Sequence, residues 1–372
     1  MFLNTLREEL LKNSSNYYSD NYDYYTFGNK KPLKKAFINQ LKKVFFSSIF
    51  LTPILKSDFL YRKFFLGYLF KYDKYIQPLE FFYNKLESKE SKALFIQLVA
   101  FRLLGYVKVR LPLSKPAYWQ GIKEMEKTRD ENDTIDVPSF PWKLYMHDVS
   151  KTGYPIKVYI NSKGAYTTFV AKQYIETSQN PKLAPLEGDV VLDMGGCYGD
   201  TSIQFSYMVG SKGKIFTFEF IPGNLNIFRK NLALNPSLKD NIEIVEHPVW
   251  NSSDKKVYFK DAGAGSHISF EPFEGSTGET TTITVDDFVA RYKIEKLNFI
   301  KADIEGAEPF ALQGAVNTLK RFTPTLALSI YHSMEDFTSI IRQIDDLNLG
   351  YKFYLGHYTI YASETILYAI KE

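Results

Sequence analysis

The sequence predicts an α/β protein with a mostly parallel sheet and helices on both faces, preceded by a basic helical region. Three observations predict it. From Leu186 onward, apolar runs of strand length alternate with amphipathic stretches of helical length, the pattern of a parallel sheet whose crossovers are helices. The first of these runs leads into a glycine-rich turn, Asp193-Met194-Gly195-Gly196-Cys197-Tyr198-Gly199. Charge is also divided: residues Lys30 to Lys115 hold 18 Lys+Arg and 5 Asp+Glu, a net +13, although the whole chain is only +4. The other 286 residues are therefore acidic, with 28 bases against 37 acids.

A chain of 372 residues has the length of two domains and ample surface to bury. The start, MFLNTLREEL, has acids where a signal peptide has only bases, and no apolar core follows it, which argues against secretion by that route. Residues 13–31 are polar and Tyr-rich without period, and read as a flexible tail or loop. From Lys34 to about Arg110, apolar residues recur at helical spacing, as in Leu94, Leu98 and Phe101, with Pro53 and Pro78 as breaks, so this stretch reads as short helices. Its most apolar run, Val44 to Leu55, is too short to span a bilayer, which needs about 20 residues.

After Lys115 the texture changes. Glu124 to Asp136 (EMEKTRDENDTID) reads as a charged helix or linker. The expected division is a basic aromatic region over 1–115, a linker and lead-in over 116–185, and a catalytic domain over 186–372. Its strands are VVLDMGG, KIFTFEF, IEIVEHPVW, NFIKADIE, TLALSIYH, KFYLGHY and TILYAI, with helices from about Thr201, Asn224, Pro309 and Glu335. The last two strands have only a short loop between them, which predicts a hairpin and an antiparallel strand at the sheet's edge.

Composition excludes several classes. One Cys and five His support neither a disulfide framework nor a zinc finger. No G-x-x-x-x-G-K-[ST] string occurs, so there is no P-loop. The basic aromatic stretch reads first as a helical subdomain with solvated lysines, and second as a surface lying on a membrane or an anionic partner, because aromatic bodies flanked by Lys suit the headgroup boundary.

Ligands of such sheets bind at the carboxyl ends of the strands. A dinucleotide fingerprint needs Gly at 195, 197 and 200, where this chain has Cys197 and Asp200. The spacing Asp193-x-Gly195-x-x-x-Gly199 instead makes a tight turn headed by a carboxylate, which suits a ligand with a cationic end and no pyrophosphate, as in S-adenosyl-L-methionine. Gly196, Asp200 and Thr201 complete the turn, the last two with a helix-capping role as the bland alternative. Glu219, followed by Phe220, lies at the tip of the second strand, where two acceptor oxygens match the two hydroxyls of a ribose. Trp250, after the third strand, is a candidate to flank adenine. The fourth strand ends in Lys301, Asp303, Glu305 and Glu308, and the fifth in His332, which is placed to act as a base near neutral pH.

These residues resemble the FkbM-like family of S-adenosylmethionine-dependent methyltransferases. The resemblance is carried by VVLDMGGCYGDTS (190–202), FTFEFIPGNLNIFRKNLALNP (216–236), TTITVDDF (281–288), NFIKADIEGAEPFALQGA (298–315) and ALSIYHS (327–333). It implies a class I methyltransferase (Rossmann-like) fold with a seven-stranded sheet, and O-methylation, in many members of sugars, glycan precursors or polyketide-like precursors. Two departures stand out: Cys197 follows Gly-Gly where the family often has Gly-Ala-Asn, and the amino-terminal region is an addition.

The resulting expectation is that Asp193, Gly195, Gly196, Gly199, Asp200, Thr201, Glu219, Phe220, Trp250 and Asp303 bind S-adenosyl-L-methionine. His332, Asp303, Lys301 and Glu305 serve catalysis, with His332 taking the proton of a sugar, nucleotide-sugar or surface-glycan hydroxyl. A less favoured alternative puts a divalent metal on Asp303, Glu305 and His332. Partners are a small-molecule or glycan acceptor and, through residues 30–115, a membrane or anionic surface. Localisation is expected to be cytoplasmic, with contact at the inner face of the membrane. The rivals are RNA methylation, disfavoured by the missing [ND]-P-P-[YF] string, and a membrane- or partner-binding module that only senses the cofactor.

Overall fold

The computed structural model describes residues 1–24, 55–57, 75–137 and 143–372. About half of the basic stretch, Pro53, the Val44 to Leu55 run apart from Leu55, and residues 25–31 of the Tyr-rich segment lie outside the described residues. The chain divides into two compact units. One comprises Met1–Tyr118 with Tyr354–Thr365, the other Trp119–Phe353 with Ile366–Glu372. Residues 116–185, read as a linker and lead-in, fall in the second unit apart from their first three.

In the first unit, helix α1 (Phe2–Ser14) buries Phe2, Leu6 and Leu10, the i, i+4, i+8 stripe of one helix face. Helix α2 (Ile76–Lys85) and helix α3 (Lys89–Leu104) follow. The Ser88 hydroxyl caps α3 by accepting from the Ser91 N–H at 2.9 Å, and Gly105, at φ +79°, ends it. Phe95 meets Phe82 and Phe2 at ring-centroid distances of 4.7 and 6.0 Å. Helix α2 begins at Ile76, two residues before Pro78, which lies in its first turn, where a missing N–H leaves no helical bond unmade. Residues 16–24 are irregular yet fastened. Buried Asn21 donates to Tyr106 O and Val109 O at 2.7 and 3.0 Å, and the Tyr18 N–H donates to Val107 O at 2.8 Å. This part of the expected flexible segment is tied down by the backbone acceptors of residues 106–109.

The second unit holds the rest of helix α4 (Pro116–Glu126) and a three-stranded antiparallel sheet, β1 (Arg129–Asp136), β2 (Lys143–Asp148) and β3 (Lys157–Ile160), in that order. The charged run RDENDTID is therefore an edge strand and not a helix or linker. It pairs with β2 through a register shift between Asp130 and Thr134. Charged side chains suit a mostly solvated edge, where they also discourage pairing with other chains, so the absence of an apolar period hid the strand. Helix α5 (Ser162–Phe169) follows, capped by Asn161.

The main sheet then forms from β4 (Val190–Met194), β5 (Lys214–Phe218), β6 (Ile242–Val245), β10 (Phe299–Ala302), β11 (Thr325–Ser329), β12 (Lys352–His357) and β13 (Thr365–Ile370). Its order is β12-β13-β11-β10-β4-β5-β6. The seven expected strands are the seven observed ones. Helices α6 (Asp200–Val209), α7 (Pro222–Leu234), α9 (Glu308–Gln313), α10 (Val316–Phe322) and α11 (Met334–Asp345) are the connections. The stretch after β6 departs from alternation: it carries a second antiparallel sheet, β7 (Lys256–Lys260), β8 (His267–Ser269) and β9 (Gly278–Thr281), before helix α8 (Val285–Arg291).

The antiparallel strand lies one position in from the edge. Strand β13 pairs with β11 (Leu326↔Ala369, Leu328↔Leu367), and β12 is the edge. All six residues of β13 are buried. Strand β10 pairs in parallel with β4, setting Lys301 opposite Asp193. That register brings the two motif-bearing strand ends together.

Candidate active site

The turn after β4 is backbone-built. The N–H groups of Gly195 and Gly196 both donate to Phe218 O, at 3.1 and 3.0 Å, tying the turn to β5. Gly195 has φ +87°, and a Cβ there would stand 1.9 Å from Asp303 O; Gly199 has φ +83°, and its Cβ would stand 2.1 Å from the Phe228 ring. Only glycine combines that φ with that space. A Cβ on Gly196 would lie 2.2 Å from the Thr217 methyl. Cys197, itself at φ +46°, has its thiol pushed up by burial and by the charges of Glu219 and Asp200, so it is a space-filling turn residue and not a nucleophile.

Asp193 does not face the ligand crevice as expected. It is fully buried, pairs with Lys301 Nζ at 2.9 Å, and accepts from Thr201 Oγ1 and Ser202 Oγ at 2.8 and 2.6 Å. Lys301 also donates to Gly195 O at 2.6 Å. Burial works against its charge, but Asp193 and Asp303 hold its pKa above the ordinary lysine value. Lys301 is therefore a fixed cation that pins the glycine turn, and its partner is chiefly Asp193. Removing either member leaves the other charge buried and uncompensated, at a cost of about 3–5 kcal/mol. Asp200 and Thr201 do not cap α6, whose N-cap is Gly199 without a side-chain bond. Thr201 is committed to Asp193, and Asp200 accepts from Thr168 Oγ1 at 2.6 Å.

Glu219 extends from the end of β5. Its Oε1 accepts from the N–H groups of Phe220 and Ile221, both at 2.8 Å, and Oε2 accepts from Asn224 Nδ2 at 3.2 Å. Burial pushes its pKa up to about 7, against those hydrogen bonds. Asn224 Oδ1, also buried, has no hydrogen-bond partner among the described residues. An acceptor-rich strand end beside a bare glycine turn fits a ligand that brings hydroxyl or amine donors, as the nucleoside half of S-adenosylmethionine does. The half-buried Phe220 turns its ring edgewise to Phe259 at 5.6 Å. Trp250 is spoken for: Phe310 stacks on it at 4.0 Å and 16°, and Phe270 leans against it at 5.2 Å. That aromatic stack takes one ring face from the expected adenine contact.

The ends of β10 and β11 supply a second polar group. Asp303 Oδ2 accepts from the Tyr174 hydroxyl at 2.6 Å, and the Tyr331 hydroxyl lies 3.2 Å from both of its oxygens. His332 sits between acids: Nε2 is 3.3 Å from Asp303 Oδ1 and 3.7 Å from Glu305 Oε2, and Nδ1 is 3.4 Å from Glu308 Oε1. Although burial opposes its charge, Asp303 and Glu308 push the His332 pKa up to about 11. Burial likewise opposes ionisation of Asp303, yet His332, Lys301 and Tyr174 hold its carboxyl well below the usual range. His332 is thus an imidazolium near neutral pH, and a group already carrying its proton is not the general base expected of it.

Among the described residues, the ligand-capable atoms of Asp303, Glu308 and His332 lie within 4.8 Å of one another. The expected metal set named Glu305 where the structure has Glu308. Glu305, at φ +56°, turns outward with its side chain 59% exposed, whereas the Glu308 side chain is fully buried. Four groups were missed from sequence. Tyr174 reaches Asp303 from 129 positions away and carries no motif, so nothing local could have found it. Tyr331 and Asn224 lie within the quoted motifs but have ordinary residue types there. Glu308 stands in the charged group after the fourth strand but has no role in the expected site.

Residues 193–353 match the family profile described as the methyltransferase FkbM domain. The structure is similar to that of methyltransferase FkbM from Methylobacillus flagellatus KT, with a TM-score of 0.51 at 15% identity, covering 91% of this chain and 71% of that one. Weaker likenesses include Aeropyrum pernix fibrillarin with bound S-adenosyl-L-methionine (TM-score 0.36, 14% identity, 64% of this chain and 99% of that one) and an O-methyltransferase from Bacillus cereus (TM-score 0.32, 15%, 49% and 74%). Comparison with the curated proteins returns no match.

Proposed function

We propose that this S-adenosylmethionine-dependent methyltransferase, which carries an FkbM domain at residues 193–353, methylates a hydroxyl oxygen of a sugar, nucleotide sugar or surface-glycan precursor. The observation that carries the reading is the group of Asp303, Tyr174, Tyr331 and His332 at the strand ends, with the backbone of Asp303 packed against Gly195. Such a group is rich in hydrogen-bonding partners for a hydroxyl and poor in apolar surface for a carbon or thioether acceptor.

When bound, S-adenosylmethionine supplies an electrophilic methyl group on a sulfonium. Glu219 and Asn224 are placed to accept from the ribose hydroxyls and neighbouring donors, and the glycine turn leaves backbone where a side chain would intrude. Asp303 carries negative charge beside that turn, complementary to a cationic ligand end. Lys301 and Asp193 hold the turn's shape without touching either ligand. The remaining task is alignment of the acceptor oxygen, which by itself lowers barriers substantially, by about 7–11 kcal/mol in well-oriented systems. Tyr174, Tyr331 and His332 hold the Asp303 carboxylate so that it accepts a hydrogen bond from that hydroxyl and receives its proton as the methyl group passes to the oxygen. His332 acts as a positioning cation.

The basic stretch 30–115 adds the acceptor's setting: 18 bases against 5 acids suit contact with an anionic surface, the inner face of a membrane or an anionic glycan carrier. Incubation of the purified protein with S-adenosylmethionine and a panel of nucleotide sugars, read by mass spectrometry, should show a gain of one methyl on an oxygen of at least one sugar. Methyl transfer to oligonucleotides and to no sugar would replace this reading with the nucleic-acid one.

A further inference from the structure

We propose that Asp303, Glu308 and His332 form a binding site for one divalent cation, which holds the acceptor hydroxyl. The inference deepens the reading above and rests on it only for what the cation holds, not for whether the cation binds. Three observations carry it. The first is geometric: one ligand atom from each residue falls within 4.8 Å of the other two. Ligands around a six-coordinate cation with bonds of about 2.0–2.6 Å stand roughly 3 Å apart when adjacent and at most about 5 Å apart when opposed.

The second is an orphaned donor atom. Glu308 is fully buried, and its Oε1 is fixed by the Ile304 N–H at 2.8 Å, yet its Oε2 has no hydrogen-bond partner among the described residues. A buried carboxylate oxygen without a partner is costly, and a cation is the partner that answers it. Close by, a Cβ built on Gly306 lies 3.8 Å from His332 Cβ and 3.9 Å from Asp336 Oδ2, a second buried oxygen without a hydrogen-bond partner among the described residues. The third is chemical. Two carboxylates and one imidazole, presented by the ends of β10 and β11 and the start of α9, form a donor set for Mg²⁺ or Mn²⁺; the incoming cation displaces the proton that His332 otherwise carries and takes over its positive charge between the two acids. Asp303 and Glu305 keep side-chain exposures of 21% and 59%. A cation there would orient the hydroxyl and draw charge from its oxygen, making its proton easier to lose.

Mn²⁺ titration of the full chain, followed by electron paramagnetic resonance, tests the site without any acceptor. The expected result is one saturable ion per chain, with binding weakened at least ~10-fold in Glu308→Gln and in Asp303→Asn and unchanged in the exposed control Glu274→Gln. A melting curve checks each variant; if Glu308→Gln does not fold, Asp303→Asn decides alone. No saturable Mn²⁺ on the wild type, or equal binding by folded variants, overturns the proposal. Where a methylated acceptor has been found, chelation should abolish turnover and Mn²⁺ restore it, and full turnover in chelator also overturns it. If no acceptor is methylated under any condition, the functional reading fails while the Mn²⁺ titration still decides the cation site.

Discussion

At the scale of single residues, identity and role separate. Asp193 and Glu219 are both acids at strand tips, and sequence assigned both to the cofactor. Asp193 is consumed by Lys301, Thr201 and Ser202 inside the sheet, whereas Glu219 keeps an oxygen with a single long contact at 3.2 Å beside the orphaned Asn224 Oδ1. Glu219→Gln should therefore weaken S-adenosylmethionine about 10-fold, the usual loss when a hydrogen bond to a charged group is removed. Titration calorimetry measures it, and unchanged affinity would reject the assignment. A sign follows from the Glu219 pKa of about 7. Hydroxyl donors favour the ionised carboxylate, so wild-type affinity should fall as pH drops from 8 to 6, and the Gln variant should show a flatter profile.

Secondary-structure elements show where pattern reading works and where it stops. Strands buried on both faces, such as β4, β10 and β13, announce themselves as continuous apolar runs. Strand β1 does not, because its partners are supplied by β2 and its side chains by solvent. The small sheet that includes β1 buries His147, whose Nδ1 lies 2.9 Å from Thr128 Oγ1. Burial, aided by Arg129, drives its pKa down to about 4; burial does the same to His357, whose pKa falls to about 3. Each folded-state value lies below the unfolded one, so the unfolded chain binds more protons as pH falls below about 6.5. The stability this provides is complete above that pH and is lost as pH falls toward 4. Thermal unfolding followed from pH 7 to 4.5 should show a falling midpoint, with a smaller fall in His147→Gln. Equal slopes in the two proteins would remove His147 as a cause.

For the whole molecule, the division of charge is the feature with a consequence beyond the catalytic domain. Among the described residues no helix is long and apolar enough to cross a membrane, and residues 30–115 carry 18 bases against 5 acids. Flotation should find the protein with vesicles rich in anionic lipid and not with zwitterionic ones, and raised salt should release it, since exposed charges are screened within about 10 Å at 0.1 M salt. Binding that ignores both headgroup charge and salt would contradict this.

Sequence by itself determined the seven strands of the main sheet, the glycine turn, the acid at the tip of β5 and the group of charges after β10. Each follows from a local requirement: apolar runs for strands buried on both faces, glycine where φ is positive and Asp303 O leaves no space, and acceptors at strand ends. Tertiary structure alone decided what those residues do. The parallel register that sets Lys301 opposite Asp193 cancels both charges inside the sheet. The approach of β11 and α9 to β10 encloses His332 between Asp303 and Glu308 and makes a cation of the expected base. Tyr174 reaches Asp303 from outside every motif. These outcomes depend on which charges meet after folding and how deeply they are buried, and neither quantity is written in the spacing of residues along the chain.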